Sequence, residues 1–158
     1  MDSWDISDAR SGPEIAQVRQ LFEEYAASLD TDLCFQNFAA ELETLGEMYA
    51  PPRGCLLLAR LHGAPAGCGG LRPFAADACE MKRLYVRPQA RGHDLGRRLA
   101  LELLARARAA GYRRMLLDTL APMHAAKALY LSLGFREVAP YYDNPLPGVT
   151  YMELAFVR

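Results

Sequence analysis

The chain has little of what marks membrane-spanning, secreted or metal-bound proteins. Its longest unbroken apolar run, Cys55 to Ala59, falls far short of the roughly 20 residues that cross a bilayer as a helix. The opening MDSWDISDAR carries acids and no apolar stretch, so no signal peptide is expected. Cysteine is sparse: Cys34, Cys55, Cys68 and Cys79 show no CxxC spacing and no adjacent histidine. That pattern excludes a disulfide framework or zinc site as the organising device and points to buried, reduced thiols of a cytoplasmic protein. No His, Asp or Glu grouping has metal-ligand spacing, so no metal is expected. There is no GxxxxGK[ST] run, which argues against a nucleotide phosphotransferase. An acidic N-terminal third and the absence of any nucleic-acid motif argue against DNA or RNA as a partner. No internal repeat or low-complexity tract interrupts the chain.

What is present fits one domain spanning residues 1–158, long enough to bury a core. Apolar residues make up 51% and charged residues 23% of the chain, as in ordinary folded domains. The net charge of −1 hides an asymmetry. Residues 1–50 hold eleven acids against two bases, and residues 51–158 hold sixteen bases against eight acids. One part of the molecule is expected to favour cations and the other anions.

Periodicity places the elements. Trp4 to Ala9 reads as a first strand. A helix starts at Pro13, with Ile15, Val18, Leu21, Phe22, Tyr25 and Leu29 at helical spacing. A second helix is predicted over Phe35 to about Met48 and ends at Pro51-Pro52-Arg53-Gly54. Cys55 to Leu61 and Ala66 to Leu71 form a hairpin about His62-Gly63, and Cys79 to Val86 is a third strand after a turn at Ala75-Ala76-Asp77. Leu95, Leu99, Leu103 and Ala107 stripe a helix that Gly111 closes. Met115 to Leu117 is a strand buried on both faces. A helix follows from Pro122 through Leu133, then strands over Phe135 to Val138 and Tyr151 to Phe156. The order β-α-α-β-β-β-α-β-α-β-β predicts an α/β fold, with a mixed sheet carrying helices on its faces and a helical crossover joining its central strands.

The segment Glu80 to Gly96 carries the strongest functional signal. A strand ends at Val86-Arg87-Pro88, an Arg/Gly turn follows, and a helix begins at Leu95. The first amides of a helix lack intrahelical partners and sit at the positive end of its dipole, so such a junction can hold phosphate. Arg91-Gly92-His93-Asp94-Leu95-Gly96 resembles the Q/R-x-x-G-x-G/A turn of the GNAT superfamily of acyl-CoA-dependent N-acyltransferases. Ala126, Leu129, Tyr130, Gly134 and Phe135 are similar to that family's later N-x-x-A-x-x-L-Y-x-x-x-G-F signature. Asp94 stands where the family has Gly, and Met123 where it has Asn.

The resemblance implies a GNAT-like fold, with the central strands splayed around acetyl-CoA, and transfer of an acetyl group to an amine acceptor. It implies main-chain contacts from Leu84, Tyr85 and Val86 to the pantetheine arm. It also implies a pyrophosphate seat on Arg91, Gly92, His93, Asp94, Leu95, Gly96 and Arg97, weakened by the Asp94 carboxylate. Glu80, expected on one strand face with Lys82, Leu84 and Val86, becomes the general base that deprotonates the acceptor. Tyr130 becomes the general acid that protonates the departing thiolate, since a phenol is protonated at neutral pH. Tyr141, Tyr142, Asp143 and Asn144, near where the family binds its acceptor, are assigned to acceptor binding, and the acid-rich first helices suggest a cationic amine. A homodimer and a non-catalytic acyl-CoA-binding module both remain open.

Overall fold

The computed structural model describes residues 3–29 and 37–156. Its elements are β1 (Trp4–Asp8), α1 (Gly12–Ser28), α2 (Phe38–Glu43), α3 (Leu45–Met48), β2 (Cys55–Leu61), β3 (Ala64–Ala75), β4 (Ala78–Val86), α4 (Leu95–Ala109), β5 (Arg114–Thr119), α5 (His124–Ser132), β6 (Arg136–Val138) and β7 (Thr150–Ala155). All seven strands join one mixed sheet in the order β1-β2-β3-β4-β5-β7-β6. This is the expected α/β order with one correction: the second helix is two short ones, broken at Thr44, whose hydroxyl bonds back to the Ala40 carbonyl at 2.8 Å. Such back-bonding competes with the helical ladder. Phe35, the expected helix start, lies outside the described residues, as does Cys34.

Local chemistry sets the element ends. Ser11 caps α1 and receives the Glu14 amide, while the Glu14 carboxylate receives the Ser11 amide at 3.1 Å, a reciprocal capping box. β3 runs past the expected Leu71 to Ala75, which sets Arg72 opposite Glu80 on β4.

The sheet is covered on both faces, and β2 shows this best. Cys55, Leu57 and Ala59 pack with Leu99 and Leu103 of α4. Leu56 and Leu58 pack with Val18, Leu21 and Phe22 of α1. A strand buried on both sides reads as a continuous apolar run, as Cys55 to Ala59 does.

Two irregularities in β4 shape everything that follows. First, β4 and β5 are parallel partners only at Ala78↔Arg114, Cys79↔Met115 and Glu80↔Leu116. Beyond Glu80 they part, while β4 stays paired with β3 as far as Gly67↔Val86. Second, Arg83 adopts a left-handed conformation with φ 61°. The register moves from Gly70↔Lys82 to Cys68↔Tyr85, so β4 carries one extra residue there, a β-bulge.

The bulge corrects the expected strand face. Glu80 and Lys82 do share a face, but Leu84 and Val86 lie on the other, packed with the α4 cluster beside Met81 and Leu103. Arg83 turns toward α2 instead. Its Nη2 lies 2.9 Å from Glu41 Oε1 and its Nε 3.1 Å from Glu41 Oε2, and the Tyr49 hydroxyl donates to Glu41 Oε2 at 3.0 Å. Both charged side chains are buried. Gly70 leaves room for this arrangement, since a Cβ there would meet the Tyr49 ring at 2.6 Å.

Candidate active site

Where β4 and β5 part, three adjoining cavities open. The largest, about 1010 Å³, runs along the unpaired edge of Leu84, Tyr85 and Val86. Arg91 and Gly96 close one end of it, and Leu120 to Ala126 with Leu129 form the opposite wall. On that side the main chain of Leu84 to Val86 has no strand partner within the sheet, so its polar groups are available to an extended ligand.

The turn beyond it has the geometry of an anion seat. Gly92 takes φ 91°, a backbone conformation that disfavours a side chain. Asp94 sits at the N-cap of α4 with φ 62° and makes no capping hydrogen bond. Its side chain is 64% exposed and only loosely paired with Arg97, at 3.8 Å. The first amides of α4 are therefore not taken by Asp94. Leu95 is buried against Ala66 and Ala90, and Arg97 donates to the Ser132 hydroxyl at 2.9 Å. His93 is half-buried within the turn.

A gap of about 30 Å³, room for a water or two, lies between the splayed strands. Tyr25, Lys82, Asp118, Thr119, Met123 and Tyr130 are among its lining residues. Burial raises the Tyr130 phenol well above its ordinary value, and its ring packs edge-on against Phe135 at 5.8 Å. The Tyr25 hydroxyl faces Met123 Sδ at 3.8 Å, and burial pushes its phenol up to about 12. Thr119 Oγ1 is the sole fully buried side-chain polar atom without a hydrogen bond among the described residues. An unpaired polar atom here, beside an unpaired strand edge, fits a site completed by a ligand.

The third cavity, about 490 Å³, lies beyond Lys82 and is lined by Met48, Arg72, Phe74, Glu80, Tyr141 and Tyr142, among others. Glu80 is buried here and fully engaged. Its Oε1 accepts from Arg72 Nε at 3.0 Å and Nη2 at 2.9 Å, and its Oε2 accepts from the Tyr141 hydroxyl at 2.6 Å. Lys82 Nζ lies 3.9 Å from Glu80 Oε2 and 3.8 Å from Asp118 Oδ1. The Tyr142 hydroxyl donates to Asp118 Oδ2 and receives Asn144 Nδ2 at 2.8 Å. Tyr141, Tyr142 and Tyr151 form an aromatic cluster with centroids 5.3 to 5.5 Å apart, Tyr151 edge-to-face with both of the others.

The sequence-predicted residues thus divide. Leu84, Tyr85, Val86, Arg91 and Gly96 line the large cleft, Tyr130 the gap, and Glu80, Tyr141 and Tyr142 the far cavity. Asn144 supports Tyr142 rather than lining the cavity, and Asp143 is exposed. Met48 of α3 lines the far cavity, but no described acid of the first helices does. Glu41 is paired with Arg83, Glu24 with Arg87, and Asp8 of β1 with Arg106, all across to the basic part of the chain. Asp30 and Asp32 lie outside the described residues.

Sequence reasoning missed Arg72, Lys82 and Asp118 as site residues. Two signals pointed to them. Asp118 interrupts an apolar strand, and Arg72 becomes the cross-strand neighbour of Glu80 once β3 is extended by four residues. Cys79 adjoins Glu80 but is buried, and burial pushes its thiol up to about 12, which leaves it a poor nucleophile. No group of metal-ligating residues occurs among the described residues, and no described helix is long and apolar enough to cross a membrane.

Parallel central strands that splay over a helix N-terminus, with cavities on both sides of the gap, define an acyltransferase architecture. A profile of the acetyltransferase (GNAT) family matches residues 15–135. An uncharacterized N-acetyltransferase of Schizosaccharomyces pombe is 42% identical over 151 residues, covering 94% of this chain and 93% of that protein. An acetyltransferase of Streptococcus agalactiae superposes with a TM-score of 0.80 at 21% identity, over 97% of this chain and 98% of that one. The PaiA N-acetyltransferase of Thermoplasma acidophilum, solved in complex with coenzyme A, superposes with a TM-score of 0.73 at 17% identity, over 98% and 99%. The chain belongs to the GNAT family and is an acyltransferase.

Proposed function

We propose that the protein transfers an acetyl group from acetyl-CoA to a primary amine by direct attack. The observation that carries this reading is the parting of β4 and β5, which joins a long cleft and a separate polar cavity across a narrow gap. Acetyl-CoA supplies the acetyl group, activated as a thioester. The main chain of Leu84, Tyr85 and Val86 would hold its pantetheine arm. The turn from Arg91 through Gly92, His93, Asp94, Leu95 and Gly96 to Arg97 would seat its pyrophosphate on uncapped amides.

The acceptor enters the cavity walled by Tyr141 and Tyr142. Glu80, fixed by Arg72 and Tyr141, draws the ammonium group by its charge, and the Glu80–Lys82–Asp118 cluster is where that group loses its proton. The Tyr130 phenol, kept protonated by burial, stands in the gap to protonate the departing thiolate. The acceptor is cationic through its amine alone. Arg72, Lys82 and the Phe74, Tyr141 and Tyr142 rings line much of the remaining wall, with Asn37, Met48 and Pro73, which favours a small amine with an apolar or anionic remainder over a polycation.

The reading is tested by incubating the protein with acetyl-CoA and a panel of primary amines, and detecting acetylated products by mass spectrometry. An acetylated small amine is expected. Acetyl-CoA binding with no product from any amine would contradict the reading and favour a binding module.

A further inference from the structure

Glu80 is poorly placed to take a proton unaided. One of its oxygens accepts two donors from the Arg72 guanidinium and the other accepts the Tyr141 hydroxyl. Protonating a carboxylate so engaged weakens the charge-assisted bonds that hold it. Lys82 is the neighbouring titratable group that lines both the acceptor cavity and the gap between the strands. We propose that Lys82 is the catalytic base: its Nζ, between the Glu80 and Asp118 carboxylates where the two cavities meet, removes the proton from the bound acceptor ammonium. This rests on the acetyl-transfer reading above and assigns a residue within it.

The step balances. An acceptor N–H bond breaks, its electrons stay on nitrogen, and Lys82 becomes an ammonium. The freed lone pair forms the N–C bond to the acetyl carbon while the C–S bond breaks with its electrons on sulfur. Tyr130 protonates the sulfur and is itself restored by the second proton lost from nitrogen. Lys82 returns its proton to solvent through the acceptor cavity.

The surroundings favour such a cycle. Burial lowers the Lys82 ammonium from its ordinary value, Arg83 on β4 and Arg72 on β3 lower it further, and Glu80 and Asp118 oppose them. The phenols of Tyr25 and Tyr130 share its gap, and those of Tyr141 and Tyr142 its cavity. Two carboxylates 3.8 to 3.9 Å away can stabilise the charge that Lys82 gains. A neutral amine in a buried site is a competent base.

Lys82→Arg separates this from a structural role, because an arginine keeps the positive charge and ion pairs that a structural lysine would supply but cannot serve as a base. We expect kcat to fall by about 100-fold or more, the scale of a lost general base, with the acetyl-CoA dissociation constant within about threefold of wild type. Acceptors that are already neutral at the assay pH should recover most of the loss, which a merely structural defect would not allow. Arginine-variant activity within about threefold of wild type overturns the proposal, as does an equal loss with neutral acceptors. Should that variant fail to bind acetyl-CoA, nitrogen-15 NMR of lysine-labelled wild type decides: Nζ of Lys82 should titrate well below the ordinary lysine value of about 10.4, and a Nζ that stays cationic to that value overturns the assignment. Absence of any acetylated product from wild type is a separate result, which sinks the acetyl-transfer reading itself.

Discussion

At the scale of single residues, Asp94 shows how one side chain can depart from a pattern and leave the backbone intact. Aspartate tolerates left-handed backbone better than most residues with a Cβ, and Asp94 takes that shape with its carboxylate turned to solvent. The turn survives, but a negative charge stays near the amides proposed to meet the pyrophosphate. Replacing it by glycine removes that charge and eases the backbone. A charge at a helix N-terminus is worth about 0.3–1 kcal/mol, so Asp94→Gly should tighten acetyl-CoA binding by about two- to fivefold in calorimetry at low salt. An unchanged or weaker affinity would show that the carboxylate does not oppose the coenzyme.

At the scale of elements, the bulge in β4 decides which side chains reach the site. Strand alternation was legible in the sequence as far as Lys82, and the helical crossover was legible from the strands flanking α4, while the splaying was implied only by the family resemblance. The extra residue at Arg83 was not, because nothing in a local pattern marks an arginine for left-handed backbone. What holds it there is distant in sequence: the Glu41 carboxylate, on a helix whose other acid, Glu43, is exposed. Burial raises the Glu41 carboxyl, but the hydrogen bonds and charge of Arg83 outweigh that and hold it below its ordinary value of 4.5. A carboxyl lowered in the folded state contributes stability above its unfolded value and loses it as pH falls through the folded one. The wild-type protein should therefore lose part of its stability below about pH 4.5. Glu41→Gln should leave the Arg83 charge uncompensated, costing about 3–5 kcal/mol at neutral pH in urea denaturation, and should show a shallower acid dependence. Unchanged stability would mean that the buried pair does not hold the bulge.

At the scale of the whole molecule, part of the charge asymmetry is taken up in ion pairs within the fold. The acids of the N-terminal part meet arginines of the later part across the sheet, at Asp8–Arg106, Glu24–Arg87 and Glu41–Arg83. The charge pattern alone suggested an acidic acceptor pocket, because pairing between distant segments is invisible until the chain is folded. The proposed coenzyme side was more legible, because its turn and helix are contiguous in sequence. The acceptor side is assembled from β3, β4, β5 and the loop before β7, and its Arg72, Lys82 and Asp118 emerged only with the register. In the proposed reaction the parted strands hold both reactants at once and pass the acetyl group directly between them. Initial-rate kinetics, with acetyl-CoA and an amine acceptor varied together and free thiol followed, test it most directly. Intersecting double-reciprocal lines, with thiol released only when amine is present, are expected. Parallel lines, or release of thiol without amine to leave an acetylated protein, would contradict direct transfer.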